Sequence, residues 1–336
     1  MPQPDVGDVH VNQPLSRFSV GYKPGGFFTA QAVPIIPVEK QTDIYIKYNK
    51  SFWARDLGVP GAAPTGAYSM LRAPGTRART AGFTFDKTNT YRADNWALGV
   101  EIPWELEQNA DAVFNLQQNA VTLAQSLLSL RLDRSFVADI IAASYGTLTV
   151  SNKWNDYAAS TPIEDVRAGV QTIRRASLGM AVNGGLRIVM GALVFQRLAD
   201  HPDILERIKY GASQASPADV TPNLLAQLFH VDEVNVAESV FTTDEEGGTA
   251  EASVTYSDVC SDDVLIYWAP KNPGLMQPTA VALFNWYSAA GGRNNLWFVR
   301  SGEETRERYR WIEVHGYWDL VATDLTTGVV NADAVD

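Results

Sequence analysis

The 336 residues include 46% hydrophobic and 10% aromatic side chains, which is enough apolar material for a sizeable core and suggests two domains. This composition excludes a chain that is disordered throughout. The formal net charge of −11 argues against general nucleic-acid binding through a basic surface. Since Cys260 is the one cysteine, no disulfide can form within the chain, and we expect stability to come from packing or association, as in a reducing compartment.

The first 40 residues hold six of the 17 prolines, so we predict an extended segment, because proline fixes φ and disfavours helix before it. The same segment carries large apolar side chains, namely Phe18, Tyr22, Phe27, Phe28, Ile35 and Ile36. These are too many for a solvated tail, and we expect an arm that lies on its own domain or on a neighbouring subunit. The opening MPQPDVGD lacks the pattern of a secretory signal, so cytoplasmic synthesis is expected.

A long two-stranded excursion is predicted next. Apolar and polar residues alternate from Ile44 to Asn49, and Phe52 and Trp53 follow, which is typical of a strand. The interval 57–82 is rich in Gly, Pro and Ala and is predicted to be an irregular loop, after which 83–103 is again strand-like. Because an isolated hairpin is marginally stable in water, this excursion implies a docking surface or, in a monomeric enzyme, a lid.

Residues 115–145 form the longest predicted helix. Its apolar residues recur in steps of three and four, which predicts one buried stripe made of Leu116, Ala120, Leu123, Leu127, Leu130, Val137 and Ile141. Asn115 and Gln118 resemble a capping box, and Gly146 stands where a left-handed residue would end the helix. We expect a strut about 45 Å long. Arg131, Asp133 and Arg134 interrupt the apolar run and exclude a membrane span.

Residues 160 to about 280 alternate between helical and strand patterns, which predicts an α/β subdomain. Thr161 with Pro162 and Thr221 with Pro222 mark two helix starts, and a helix is predicted to break near Pro202. The runs GLRIVMG and DDVLIYWAP read as buried strands. The chain closes with two further strand-like segments, TAVALFNWYSA and RERYRWIEVHGYWDLVATD.

Charge is segregated along the chain. Residues 47–92 have a net charge of +6, from Asp56, Asp86 and eight basic residues: Lys47, Lys50, Arg55, Arg72, Arg77, Arg79, Lys87 and Arg92. Residues 210–270 contain eleven acidic residues and no Lys or Arg. Its acidic loop, TDEEGGTAEAS, includes Asp244, Glu245, Glu246 and Glu251. Such runs are often solvated faces, but here they could also meet a partner of opposite charge.

Motifs of catalysis and cofactor binding are missing. The chain has no GxxxxGK[ST], GxGxxG, HExxH or GxSxG pattern and no pair of CxxC motifs. Its four histidines are far apart in sequence, and His201 before Pro202 is interpreted as a turn or cap residue. We therefore expect no catalytic residue, no cofactor and no metal.

The order of these parts resembles the major capsid protein of tailed bacteriophages, with its N-terminal arm, E-loop, spine helix, peripheral (P) domain and axial (A) domain. The run TYRADNWALGVEIPWELEQNADAVFNLQQNAVTLAQSLLSLRLDRSFVADI at 90–140 resembles the passage from E-loop to spine helix. HPDILERIKYG at 201–211, LLAQLFHVDEVNV at 224–236 and DDVLIYWAP at 262–270 resemble A-domain segments, and RYRWIEVHGYWDLVATD at 308–324 resembles strands that return to the P domain. The resemblance covers about 40–325.

The resemblance implies an α+β fold divided into an arm (1–43), an E-loop (44–100), a P domain with a spine helix (101–160, helix 115–145), an A domain (161–300) and returning P-domain strands (301–336). It implies hexamers and pentamers in an icosahedral head around double-stranded DNA, without sequence-specific DNA binding. The eight basic residues of 47–92 would contact an adjacent subunit, and Asp244, Glu245, Glu246 and Glu251 are a possible counter-surface.

The resemblance also implies partners: a portal, a possible decoration protein and a separate scaffolding protein, because only about 40 residues precede the E-loop. No membrane is expected to be involved. Two alternatives stay open at the level of the sequence. An encapsulin-like compartment shares this fold and assembles without DNA, and a soluble enzyme could use the excursion as a lid over an α/β site.

Overall fold

A computed structural model describes residues 25–54, 74–75, 77, 82, 84–110, 115–211, 220–244, 253–274, 277–288 and 295–335. The chain divides into two compact units. One unit, which we call the main unit, consists of Met1–Gln41 with Ala93–Asp336. The other, which we call the hairpin unit, consists of Thr42–Arg92. Mixed helices and sheets agree with the predicted α+β class.

The helices of the described residues are α1 (Thr29–Ala32), α2 (Lys50–Trp53), α3 (Trp104–Asn109), α4 (Leu116–Ser135), α5 (Pro162–Ala176), α6 (Ala192–Ala199), α7 (Pro202–Gly211) and α8 (Pro222–Phe229). A π-helical segment, Phe136–Ile141, continues α4, and short 3-10 turns lie at Met180–Asn183 and Leu325–Thr327. The break between α6 and α7 falls at Pro202, as predicted.

The strands are β1 (Ile35–Val38), β2 (Thr42–Ile44), β3 (Lys47–Tyr48), β4 (Phe85–Asp86), β5 (Thr90–Arg92), β6 (Asp94–Pro103), β7 (Gly146–Thr147), β8 (Leu186–Gly191), β9 (Glu233–Ala237), β10 (Val240–Phe241), β11 (Ser257–Asp258), β12 (Val264–Trp268), β13 (Val281–Trp286), β14 (Phe298–Glu304), β15 (Tyr309–Ala322) and β16 (Gly328–Asn331).

The first sheet of the main unit is built around the 14-residue strand β15. Strand β6 pairs antiparallel with one edge of β15, while β13 and β14 share the other edge and β1 extends the sheet in parallel with β13. Alternating residues of β6, among them Leu98, Val100 and Ile102, pack against helix α4. One face of this sheet is therefore covered by the long helix.

Helix α4 and its π-helical continuation bury a stripe that overlaps the predicted one only in part, at Ala120 and Ile141. The buried positions advance in steps of four: Ala120, Ala124, Leu128, Leu132, Phe136 and Ile140. The prediction was wrong at Leu123 and Leu127, which are 51% and 39% exposed. Two apolar stripes overlap in this sequence, and the one with small residues lies against the sheet because alanine lets the helix backbone approach closely.

The beginning of α4 agrees with the prediction, but its end does not. The Asn115 side chain accepts a hydrogen bond from the Gln118 backbone N–H at 3.0 Å, as an N-cap residue does. The π-helical segment ends at Ile141, so the helical run is about 39 Å long. Gly146 does not cap the helix, because it lies in β7 and pairs in parallel with Val329.

The second sheet has the order β7-β16-β12-β8-β9, in which β8 and β9 run parallel. Every residue of β8 and β12 is buried, which confirms that both runs are interior strands. Helices α5 to α8 contribute to the apolar core around this sheet, in which Trp154, Ile188, Phe229 and Ile266 are fully buried. The predicted α/β subdomain is built in this way.

Helices begin after both Thr161 and Thr221, as predicted, but only one of these threonines makes an N-capping hydrogen bond. Thr221 accepts from the Leu224 backbone N–H at 3.4 Å, whereas the Thr161 side chain makes no capping hydrogen bond. Proline at the first helical position is compatible with helix in both cases, because the missing N–H has no partner there anyway.

Two strands belong to a different sheet from the one that the predicted domain ranges imply. Strand β13 lies inside the range predicted for the A domain, yet it pairs with β15. Strand β16 lies in the range predicted for returning P-domain strands, yet it pairs with β12. Each of these two strands thus pairs outside the sequence range to which the prediction assigned it.

Candidate intersubunit contact surfaces

The hairpin unit contains two short antiparallel ladders. Strand β2 pairs with β5, and β3 pairs with β4. The predicted strand is broken: β2 ends at Ile44, β3 covers Lys47–Tyr48, and Phe52 and Trp53 lie in helix α2 instead. Most of the predicted loop, 57–82, lies outside the described residues.

Large apolar side chains of the hairpin unit are exposed. Ile44, Ile46, Trp53 and Phe85 are 54%, 47%, 58% and 42% exposed. Four such groups within one small unit exceed the scattered single apolar residues that are normal on a monomer surface. The alternation of Ile44 with Ile46 was visible in the sequence, but it was interpreted only as a sign of strand. The hairpin unit thus presents apolar surface in addition to charge.

The basic residues of this unit are only partly within the described residues. Lys47 lies in β3, opposite Asp86, and Lys50 begins α2. Arg92 ends β5, while Lys87 and Arg77 are exposed. The other three predicted contact residues, Arg55, Arg72 and Arg79, lie outside the described residues.

The turn after β4 is held by Asp86. Its carboxylate accepts from the Thr88 backbone N–H at 2.9 Å, from the Thr88 hydroxyl at 2.7 Å and from the Asn89 amide at 3.2 Å. These hydrogen bonds, chiefly those from Thr88, lower the pKa of Asp86. Next to this turn, the Lys87 ammonium lies 4.8 Å from the centre of the Phe85 ring. These hydrogen bonds fix the turn between β4 and β5, which joins the two ladders next to the exposed Phe85.

Of the four acidic residues predicted as a counter-surface, only Asp244 lies within the described residues. The Asp244 carboxylate accepts from the Thr255 backbone N–H at 2.7 Å and closes the base of its own loop. Glu245, Glu246 and Glu251 lie outside the described residues. Asp244 therefore serves its own loop, and its place in a counter-surface stays a prediction.

A Ser–His pair in the main unit is arranged as a structural cap. His201 is fully buried, and its Nδ1 accepts the Asp203 backbone N–H at 3.2 Å. Its Nε2 must therefore carry the proton in the neutral ring and donate to Ser160 Oγ at 3.0 Å. A general base would present an unprotonated nitrogen to the serine. Burial also lowers the pKa of His201, in keeping with a neutral ring that caps helix α7.

Among the described residues, no group of three or more His, Cys, Asp or Glu side chains is placed to hold a metal ion. Within the same residues, no helix is both long and apolar enough to cross a membrane.

The paired acids before β12 have a thermodynamic consequence. Asp263 is half-buried, and burial, reinforced by the charge of Asp262, raises its pKa to about 6. This pKa lies above the ordinary value of 3.8, so the folded chain binds the Asp263 proton more tightly than the unfolded chain does. The stability that this proton contributes is therefore fully present below about pH 4 and is lost as pH rises through 6.

We expect Asp263→Asn to raise the free energy of unfolding by about 1 kcal/mol at pH 7.5 and to have little effect at pH 4, after discounting for solvent screening. Thermal unfolding at the two pH values measures this difference. Asp258→Asn is the matched control, because Asp258 is exposed in the same acidic segment. An equal effect of both variants at pH 7.5 would assign the change to net charge alone.

The described residues thus combine a long helix on one sheet, a second sheet flanked by helices and a separate β-hairpin unit. No protein-family model matches the chain. The major capsid protein of Burkholderia phage BcepMu is 24% identical over 276 residues, which cover 80% of this chain and 80% of that protein.

Solved structures extend the similarity to nearly the whole chain. A phage-related protein from Bordetella bronchiseptica RB50 aligns with a TM-score of 0.64 at 19% identity. The alignment covers 96% of this chain and 97% of that protein. The capsid of cyanophage P-SCSP1u has a TM-score of 0.58 at 8% identity, with coverage of 95% and 91%. Further phage capsids and encapsulins are also similar. The chain thus has the tailed-phage major capsid fold that encapsulins share, as the sequence predicted.

Proposed function

We propose that this chain is a structural shell subunit, the major capsid protein of a tailed bacteriophage, and not an enzyme. The observation that carries the proposal is the agreement between a phage major capsid relative over 80% of the chain and phage capsid structures over nearly all of it. The structural role of the Ser160–His201 pair is consistent with this proposal, because the tautomer set by Asp203 prevents His201 from acting as a base toward Ser160.

The finer proposal is that the chain forms hexamers and pentamers of an icosahedral head around double-stranded DNA. Its net charge of −11 favours enclosure of DNA without sequence-specific binding. A separate scaffolding protein, a portal and possibly a decoration protein complete the head, which is assembled in the host cytoplasm. The virion capsid is the site of the mature protein.

Within the subunit, we assign the E-loop to the hairpin unit and the spine helix to α4 with its π-helical continuation. The P domain then consists of this helix and the first sheet, and the A domain of the second sheet and its helices. We assign the N-terminal arm to the residues before 44, and in its described part Thr29–Ala32 form the short helix α1, where the prolines had predicted extended chain. These assignments follow the connectivity of the sheets and the compactness of the hairpin unit.

The hairpin unit docks on an adjacent copy of the chain through its apolar side chains, with basic residues around them. Burial of Ile44, Trp53 and Phe85 would supply most of the binding energy, since fully burying a large apolar side chain is worth about 1.5–3 kcal/mol. Exposed ion pairs contribute less, typically about 1 kcal/mol or below, but they set orientation and association rate. The basic residues therefore guide the contact more than they hold it.

Arg77→Glu with Arg79→Glu is expected to leave a folded subunit and to block shell formation, because two reversed charges repel any acidic counter-surface. Electron microscopy of the assembled fraction and circular dichroism of the soluble fraction measure the two effects. Arg175→Glu with Arg174→Glu provides the same charge change at the end of α5, outside the hairpin unit. Normal closed particles from the Arg77 and Arg79 variant would exclude this docking role.

The capsid role itself is tested by the size and content of the particles. Expression of the chain with its scaffolding partner should give closed shells, and particles isolated from infected cells should contain packaged genome. An enzyme cargo in place of DNA would favour the encapsulin alternative, whose fold is similar. A product that stays monomeric at high concentration with all partners supplied would contradict the capsid role and favour the soluble-enzyme alternative.

A further inference from the structure

Strands β10 and β11 form a small ladder that belongs to neither large sheet of the main unit. Val240 pairs with Asp258, and Phe241 pairs with Ser257. Paired residues of an antiparallel ladder project to the same side, and successive residues alternate between sides. Val240 and Asp258 therefore share one face. Phe241 lies on the other face, where its ring centre is 4.4 Å from the Arg134 guanidinium of helix α4.

The face that carries Val240 continues beyond the ladder. The Asp244 carboxylate accepts from the Thr255 backbone N–H at 2.7 Å, so the two chain segments stay side by side past the last ladder pair. Tyr256 lies between this hydrogen bond and Asp258, two residues before Asp258. In extended chain, residues two apart project to the same side, so Tyr256 extends the face of Val240 and Asp258.

This face is apolar at its centre and acidic around it. Val240 is 50% exposed and Tyr256 is 64% exposed, the highest value among the large apolar side chains of the described residues. Asp258 and Glu238 are exposed beside them. Residues 210–270 contain no Lys or Arg. We call Val240, Tyr256 and Asp258 the acidic face.

The hairpin unit has the complementary character. Its exposed apolar side chains include Trp53 and Phe85. Residues 47–92 carry a net charge of +6, from eight basic and two acidic residues. Two surfaces with apolar centres and opposite charges can exclude water between them, while the charges favour one orientation.

A second exposed apolar pair in the described part of the main unit fits the hairpin unit less well. Leu123 and Leu127 lie one turn apart on α4 and are 51% and 39% exposed. Arg131 follows one turn later on the same side, and Arg134 follows Arg131 by three residues, both exposed. These cations would repel a basic partner, so charge favours the acidic face over the leucine pair.

We propose that the acidic face receives the hairpin unit of a second copy of this chain. The inference rests on the proposed docking role of the hairpin unit and names the surface on which it docks. Tyr256 is the central anchor, because tyrosine and tryptophan supply large, rigid contact area in interfaces. The contact joins two different patches, so each copy can bind one neighbour through its hairpin unit and another through its acidic face.

Shell formation by Val240→Lys with Tyr256→Lys tests the acidic face. Both side chains are at least half exposed, so we expect a folded subunit that forms no closed shells, as judged by circular dichroism and electron microscopy. Leu178→Lys with Leu325→Lys adds the same charge at two other exposed apolar positions, 40% and 38% exposed, and should assemble normally. Tyr256→Ser adds no charge and should raise the threshold concentration for assembly about tenfold, the effect of one lost anchor.

A mixture of two full-length variants tests which surfaces meet. The Val240 and Tyr256 variant keeps its hairpin unit, and Ile44→Asp with Trp53→Asp keeps its acidic face. Neither variant can form the contact with itself, but the two together retain one intact pair of surfaces. Analytical ultracentrifugation should show a 1:1 complex that is at least about 100-fold tighter than self-association of either variant, the effect of two anchors.

The outcomes separate this inference from the docking role on which it rests. Normal shells from the Val240 and Tyr256 variant, with none from the Ile44 and Trp53 variant, would overturn the acidic face and leave the docking role intact. Normal shells from both variants would overturn the docking role itself. If neither variant assembles and their mixture forms no 1:1 complex, the acidic face binds something other than the hairpin unit, and the inference is wrong.

Discussion

A chain that carries Ile44→Asp together with Trp53→Asp is expected to fold and to form no closed shells. Both side chains are more than half exposed in the isolated subunit, at 54% and 58%, so the substitutions remove little from its own core. In the proposed assembly, however, each contact would lose two apolar anchors and bury two charges. We expect a loss of about 4 kcal/mol per contact, on the order of 1000-fold in affinity.

Sedimentation and electron microscopy measure shell formation by this double variant, and near-ultraviolet circular dichroism checks its fold. Leu178→Asp is the matched control, because Leu178 is 40% exposed and has a φ of 55°, a conformation that aspartate tolerates. This control should still assemble. If the double variant also gives normal shells, the apolar surface of the hairpin unit is not a docking surface, whatever the role of its charges.

Gly191→Ala should be the most destabilising single methyl addition in the main unit. A Cβ at this position would lie 1.9 Å from the Ser261 carbonyl oxygen and 2.8 Å from that of Cys260. Both obstacles are backbone atoms at the entry to β12, so the strand itself would have to move. We expect a loss of about 3 kcal/mol or more in the free energy of unfolding, which would leave much of the chain insoluble.

Urea unfolding of the soluble fraction, or the soluble yield itself, measures the effect of Gly191→Ala. Gly274→Ala provides the matched control, because a Cβ there would meet no described atom within 4 Å. The control should change the free energy of unfolding by less than about 0.5 kcal/mol. A Gly191 variant of wild-type stability would show that β8 and the start of β12 can separate without cost.

Local patterns in the sequence predicted the elements well where they carry their own signals. The prolines at 162 and 222 mark two helix starts, and the runs GLRIVMG and DDVLIYWAP become fully buried strands. Such signals depend on residues within one or two turns of each other. Errors occurred where two local patterns overlapped, as at Leu123 and Leu127, because periodicity does not say which apolar face meets a sheet.

The candidate contact surfaces were less visible in the sequence than the fold. Charge drew attention to the basic residues of 47–92, whereas the exposed apolar groups Ile44, Trp53 and Phe85 were interpreted as ordinary strand anchors. Their exposure depends on what lies over the hairpin unit, which no local pattern encodes. The neutral tautomer of His201 likewise follows from a backbone N–H two residues away and from Ser160, 41 residues away in sequence.

Composition and periodicity were enough to predict an α+β chain with a long helix capped at its start, interior strands and segregated charge, because they fix local conformation and polarity. Three pairings became visible only in the folded chain: β13 with β15, β16 with β12, and the Asp133 carboxylate with the Thr29 backbone N–H, 104 residues away. These pairings depend on shape and on buried hydrogen bonds between distant segments. Such complementarity exists only once the chain has folded, so its partners are not marked in the sequence near either residue.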